Sequence, residues 1–293
     1  MSPGKIAFVI AVHKQPEQAV RLVRRLASDQ AVFLLHVDRR ASSEVDASIR
    51  RGTSDVADVY FLERHRCYWA GFGVVEATLG AFDHLLERDV AFTHAVLLSG
   101  QDYPLRPPDV IERFFQYEEG RTFMKCEPLP ATFWTEGGLP RIEHWYLVSR
   151  RRVRVRVPWR RRIPGGLAPY GGETWGAFAR PMAEYIREFV QRSPGYVRFF
   201  KHVLHANELF FQTIMMNSQL AETVVQDDLR YIDWSIDPGP AVLSTGDFER
   251  LIDSGKLFAR KFDLDFDSVI LDRLDTHIDS AHIRNRMSAD CGR

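Results

Sequence analysis

Two rhythms of apolar residues alternate over the first hundred positions. Ile6-Ala-Phe-Val-Ile-Ala-Val12 and Val32-Phe-Leu-Leu-His-Val37 are almost unbroken apolar runs, the pattern of strands covered on both faces. Val59-Tyr-Phe-Leu62 is a third run and residues 93–98 a fourth. Between them, apolar residues recur at helical spacing from Gln15 to Leu26 and from Gly73 to Leu86. Strands separated by helices predict an α/β chain with a mostly parallel, Rossmann-like central sheet flanked by helices. In such sheets ligands sit beyond the carboxyl ends of the strands, which directs attention to His13, Asp38, Gln101 and Asp102.

After about residue 120 the rhythm loosens. Prolines recur (Pro128, Pro130, Pro140, Pro158, Pro164, Pro169) and three tryptophans appear at 134, 145 and 159. This half is expected to wrap the sheet and shape a cleft, so residues 1–293 read as one domain with a short tail over 281–293. The Val/Arg alternation between Arg150 and Arg162 reads as a strand with one charged face followed by a basic turn.

Composition narrows the class. The 293 residues carry 39 basic and 39 acidic side chains, so net charge does not advertise a nucleic-acid partner. No apolar run approaches the ~20 residues that span a bilayer, and Met1-Ser-Pro-Gly-Lys5 leads straight into a strand without a signal or anchor. A cytoplasmic protein is expected on that ground. Cys67, Cys126 and Cys291 stand at unrelated spacings, which excludes a disulfide framework and a four-thiolate zinc site. Cys67 and Cys126 are expected to be inert, and His36 and His94, inside strand patterns, to be core histidines.

Three segments could carry chemistry. His202, His205 and Glu208 fall three apart in a helical pattern, which permits a metal site, a solvated face or a carboxylate general base. Asp263-Leu-Asp-Phe-Asp267 overlaps two Asp-x-Asp patterns, either a divalent-cation site on a diphosphate or a solvated turn. Gly171-Gly-Glu-Thr-Trp175 offers a close-approaching backbone and a ring that could pack a sugar face or the core.

Taken in order, several motifs resemble the core-2/I-branching β-1,6-N-acetylglucosaminyltransferases and the related peptide O-xylosyltransferases. They are His36-Val-Asp-Arg39, Tyr68-Trp-Ala-Gly71, Leu98-Ser-Gly-Gln-Asp-Tyr-Pro-Leu105, Gly171-Gly-Glu-Thr-Trp175, Asn207-Glu-Leu-Phe-Phe-Gln-Thr213, Arg230-Tyr-Ile-Asp-Trp234 and Leu257-Phe-Ala-Arg-Lys-Phe262. The resemblance covers about residues 5–275. It implies a GT-A-like, inverting glycosyltransferase, in a bacterial member, that uses a UDP-sugar and needs neither cofactor nor metal. Residues 1–120 would form the nucleotide-binding half and 121–280 the acceptor and catalytic half. Asp38 would contact the uracil, with Val12, Cys67, Tyr68 and Trp69 lining the nucleotide. Thr174 and Trp175 would face the sugar, Ser244, upstream of the C-terminal motif, would also bind the UDP-sugar, Arg260 and Lys261 would hold the diphosphate, and Glu208 would be the catalytic base. The xylosyltransferases carry an acidic residue at the position of Thr174.

The expected partners are a UDP-sugar donor and a carbohydrate, lipid-linked or small-molecule acceptor, with no nucleic acid. N-acetylglucosamine is favoured as the transferred sugar and xylose comes next, in surface-polysaccharide or glycoconjugate synthesis. Arg150 to Arg162 would give peripheral contact with an anionic membrane on its inner face. The alternative is a non-catalytic basic protein that binds lipid or nucleic acid on the same fold.

Overall fold

The structure of the chain, a computed structural model, describes residues 4–149, 152–157, 159–236 and 239–290. Arg150, Arg151, Pro158 and Cys291 therefore lie outside the described residues. Strands β1 (Lys5–Val12), β2 (Ala31–Val37), β3 (Val59–Phe61) and β4 (Phe92–Ser99) are mutually parallel, in the order β4-β1-β2-β3. The sheet continues beyond β4 through Ala177–Ala179, Thr122–Phe123 and Val224–Val225. Only Ala177–Ala179 runs antiparallel to its neighbours. The central sheet is thus seven-stranded and mostly parallel, as the alternation predicts.

The apolar runs are unbroken because each strand feeds two cores. Ile6, Phe8, Ile10 and Val12 of β1 point to one side, with Phe33 and Leu35 of β2. There they meet helices α1 (Pro16–Leu26) and α4 (Pro108–Tyr117) and the C-terminal helix Val269–Asp290. Ala7 and Val9 point to the other side, with Val32 and Leu34. That core is closed by α3 (Gly73–Glu87), Arg180–Arg192 and Phe210–Met216. Helix α1 starts with Pro16 at its first turn and ends on Arg24 and Arg25, the arrangement that suits both the orphan amides and the helix dipole. Between α1 and α3 lies α2 (Ser43–Gly52), capped by Ser42, whose hydroxyl accepts from the Val45 amide.

A second, three-stranded sheet sets the candidate site. Phe258–Arg260 lies between Arg230–Ile232, to which it is parallel, and β5 (Asp102–Pro104), to which it is antiparallel. Arg260 pairs across this sheet with Asp102 on one side and Ile232 on the other.

One expectation is corrected, and a segment left open takes one of its two readings. Residues 202–213 are not one helix. His205 takes a left-handed conformation (φ 54) and gives its amide to the Ala70 carbonyl, Ala206–Glu208 is a 3₁₀ turn, and the α-helix begins at Phe210. A non-glycine residue at positive φ ends a helical run, whatever the apolar spacing around it. The acidic run 263–267 is a turn rather than an extended strand. Lys14 and Gln15 bond Asp263 at 2.5 Å each, and Asp267 accepts from the amides of Val269 and Ile270 as a cap on the C-terminal helix.

Candidate active site

The ends of β1 and β2 and the loop before α3 meet in one place. The Asp38 amide donates to the Val12 carbonyl at 2.8 Å. The buried Asp38 carboxylate accepts from the amides of Arg40 (2.8 Å) and Cys67 (3.4 Å). Arg40 bridges back, donating to the Cys67 carbonyl at 2.8 Å while its guanidinium stands 5.2 Å over the Tyr68 ring. The loop comes this close because residue 73 is glycine. A Cβ there would meet the Arg66 carbonyl oxygen at 2.6 Å and the Cys67 Cα at 2.8 Å, inside any tolerable contact. Val12, Asp38, Cys67 and Tyr68 are brought together; His13, exposed on the next loop, feels the charges of Asp38, Arg40 and Arg260. Burial pushes the Cys67 thiol up to about 12 and the Cys126 thiol further, so neither is a thiolate at neutral pH.

Trp69 leaves this group for the next one. Its ring packs edge-on against His205 at 4.5 Å and is 67% exposed. Ala70 and His205, joined by their backbones, both hold positive φ (62 and 54). Strained backbone of this kind costs about 1–3 kcal/mol per residue and gathers where side chains must be aimed. What it aims here is Glu208. The Glu208 carboxylate takes a 2.5 Å bond from Arg141, whose guanidinium lies 4.0 Å over the Trp134 ring. Burial raises the Glu208 carboxyl above the ordinary range and Arg141 pulls it back down, with burial prevailing. Burial lowers His205 to about 4, leaving a neutral ring 3.6 Å from the carboxylate. His202 stacks elsewhere, on Trp145 at 4.7 Å. Among the described residues, no three His, Cys, Asp or Glu side chains could hold a metal ion.

One hydrogen bond ties Glu208 to the diphosphate candidates. Asn207, its neighbour, donates to the Thr174 hydroxyl at 2.6 Å, and Trp175, next to Thr174, lies 4.2 Å under the Arg260 guanidinium. The Gly171–Trp175 turn fits because a Cβ on Gly172 would meet the Lys125 carbonyl oxygen at 1.8 Å. Arg260 is 9% exposed, and its Nε and Nη1 have no hydrogen-bond partner among the described residues. Lys261 is partly exposed, and its carbonyl accepts from the Leu243 amide at 2.9 Å. Ser244, the next residue, spends its hydroxyl on Asp247 in a capping box.

Sequence reasoning missed Arg141, Arg230, Asp228 and Glu173, and it named Asp102 by place without a role. Arg141 belongs to no motif and gave no signal. Arg230, Asp102 and Asp228 form a fully buried set beneath Arg260, with Arg230 Nε 3.5 Å from Asp102 and Lys125 Nζ 3.4 Å from Asp228. Arg230 and Asp102 lay inside quoted motifs, and a charged residue in an apolar strand segment was the available signal. Glu173 lay in the glycine turn. Burial, reinforced by Asp228, pushes its carboxyl up to about 7, against Lys125 and Arg260. Between pH 4.5 and 7 the folded chain therefore holds a proton that the unfolded chain has released, so this carboxyl's contribution to stability is present at low pH and is lost as pH rises through 7. Glu173→Gln removes the burial cost of the charge. The variant's melting temperature should exceed that of wild type at pH 8, with the gap closing towards pH 5; an equal difference at both would show that Glu173 titrates normally.

The basic segment is less uniform than its sequence. Arg152–Val157 does form a strand, paired antiparallel with Trp145–Ser149. Arg161 is structural, stacked on Trp145 at 4.5 Å and Phe199 at 3.8 Å and donating to the Phe199 carbonyl, and burial lowers it to about 10. Among the described residues no helix is long and apolar enough to cross a membrane.

Comparisons with known proteins identify the family. The model of the Core-2/I-Branching enzyme family matches residues 6–251, and the chain belongs to that family. It is 26% identical over 308 residues to xylosyltransferase 2 of Homo sapiens, covering 94% of this chain and 34% of the relative. It is likewise 26% identical over 305 residues to xylosyltransferase 1 of Rattus norvegicus, covering 94% and 36%. The chain thus spans about a third of the length of these curated relatives.

Proposed function

We propose that the chain is an inverting, metal-independent glycosyltransferase that moves a sugar from a UDP-sugar to an acceptor hydroxyl. The observation that carries this reading is the link Glu208–Asn207–Thr174–Trp175–Arg260, which connects a carboxylate to a buried guanidinium with free donors through one 2.6 Å hydrogen bond. A displacement at an anomeric carbon needs both: a base for the attacking hydroxyl and preorganised positive charge for the departing diphosphate. In this reading Glu208 accepts the proton, Arg260 and Lys261 hold the diphosphate, and Asp38 receives the uracil against Val12, Cys67 and Tyr68. Trp69, beside His205, bounds the sugar. Ser244 gives both its hydroxyl and its amide to the Asp247 carboxylate, so it would meet the donor only as a hydrogen-bond acceptor.

The acceptor is a carbohydrate, lipid-linked or small-molecule hydroxyl. UDP-xylose and UDP-N-acetylglucosamine are the donors to compare first, one because the matched relatives are named xylosyltransferases, the other because the motifs resemble those of N-acetylglucosaminyltransferases. UDP release from a panel of UDP-sugars, with thermal shift on the same ligands, tests the reading; ligand binding stabilises by RT ln(1 + [L]/Kd). No shift with UDP or any UDP-sugar would sink it. Contact of the basic hairpin with an anionic leaflet remains part of the proposal, tested by cosedimentation with anionic vesicles.

Asp38→Ala should raise KM for the donor with little change in kcat, because a contact to the base is the same in ground and transition states. The checking measurement is a donor titration at saturating acceptor. A fall in kcat at unchanged nucleotide affinity would assign Asp38 another role.

A further inference from the structure

The charged side chains around Trp175 sort into pairs, with two exceptions. Lys125 faces Asp228 at 3.4 Å, Arg230 faces Asp102 at 3.5 Å, and Arg141 holds Glu208 at 2.5 Å. Arg260 keeps free donors, and the Glu173 carboxyl is acted on by Asp228, Lys125, Glu208 and Arg260 at a distance, without a hydrogen bond from any of them. The Glu173 backbone is fixed all the same. Its carbonyl accepts from Gln212 Nε2 at 2.7 Å, Gly172 before it packs against the Lys125 carbonyl, and Thr174 after it is held by Asn207. A carboxyl on a fixed backbone, without a hydrogen-bond partner among the described residues, is poised to accept hydrogen bonds from a ligand.

Its place says which part of the ligand. On the UDP-sugar reading, on which this inference rests, the diphosphate lies on Arg260 and the attacking hydroxyl at Glu208, so the transferred sugar must span the two. Glu173 stands beside that span, directly before Thr174, which Asn207 holds at 2.6 Å, and Trp175, which packs on Arg260 at 4.2 Å. We propose that Glu173 reads the transferred sugar, accepting hydrogen bonds from the hydroxyl groups of a neutral sugar and rejecting one that carries a carboxylate. The physical basis is asymmetric: hydroxyls are donors a carboxylate can satisfy, whereas a second carboxylate beside Glu173, Glu208 and Asp228 adds like charge in a half-buried site.

Calorimetric titration of wild type and Glu173→Gln with UDP, UDP-xylose, UDP-N-acetylglucosamine, UDP-glucose and UDP-glucuronate tests this. UDP-xylose and UDP-glucuronate differ only by the carboxylate on C5. Wild type is expected to prefer neutral sugars to UDP-glucuronate. Glu173→Gln should bind UDP as wild type does, weaken its best neutral UDP-sugar by about 10- to 100-fold, the range for losing a hydrogen bond to a charged group, and narrow the gap to UDP-glucuronate. If the Gln variant does not fold, Glu173→Ser is read by the same ratios. Wild-type affinity for UDP-glucuronate equal to that for UDP-xylose, or a loss in the variant that is the same for UDP as for its sugars, would overturn the assignment while leaving the UDP-sugar reading intact. Failure of wild type to bind UDP or any UDP-sugar would overturn both.

Discussion

Glu208→Gln is expected to lower turnover by about 10²-fold or more, the usual value of a positioned base, with UDP affinity unchanged. The substitution keeps the shape of the side chain and a carbonyl oxygen for Arg141, so the fold and the 2.5 Å contact to Arg141 can persist in weakened form. What is lost is the only function a hydrogen bond cannot replace, acceptance of the acceptor's proton. The pH profile offers an independent check. Burial raises the Glu208 carboxyl, so the acid limb of kcat should lie above the range of an ordinary glutamate, rising with pH as the base ionises. Arg141→Ala removes the opposing cation and should move that limb further up. A Gln variant with wild-type melting temperature and near wild-type rate would remove Glu208 from the mechanism.

The sequence disclosed those parts of the fold whose physics is local. Strands β1, β2 and β4 are covered on both faces, so apart from Lys5, His36, Thr93, His94 and Ser99 their positions are apolar and the run itself is the signal. The strands Thr122–Phe123, Ala177–Ala179 and Val224–Val225 are two or three residues long, too short to show any period, and they complete the sheet unannounced. The segment 202–213 failed in the opposite way. Val203, Ala206 and Phe210 fit a helical spacing, yet the His205 amide is taken by the carbonyl of Ala70, a contact across 135 positions that no local pattern encodes. Candidate residues followed the same division. Those at strand ends or inside motifs could be named, while Arg141 is defined by a bond to a residue 67 positions away and has no local mark. Glu173 was visible as a letter in a glycine turn; its importance comes from the burial and the surrounding charges that only the folded chain supplies.

Arg260→Ala should cost about 3–4 kcal/mol of transition-state stabilisation, roughly 10²–10³-fold in kcat, the measured scale for removing one preorganised donor from a developing anion. A guanidinium 9% exposed, with Nε and Nη1 unpartnered, is expensive to bury, and the carboxylates of Asp102, Glu173 and Asp228 offset that cost only at a distance. A fold that keeps such a group gains if an anion offering paired oxygens completes it, and a diphosphate offers them. Lys261, whose ammonium is lowered by burial and by Arg260 and Lys14, adds a second positive charge on the accessible side. Two positive charges answer a diphosphate without a metal. Asp263, the first carboxylate of the acidic run, is already occupied by Lys14 and Gln15, and Asp267 by the backbone. EDTA is therefore expected to leave most activity intact, and Arg260→Lys, which keeps the charge but loses the fork, should fall between wild type and Arg260→Ala. Activity abolished by EDTA, restored by Mg²⁺ or Mn²⁺, and lost in Asp263→Asn combined with Asp265→Asn would transfer the diphosphate from the guanidinium to a cation, and the Arg260 assignment would go with it.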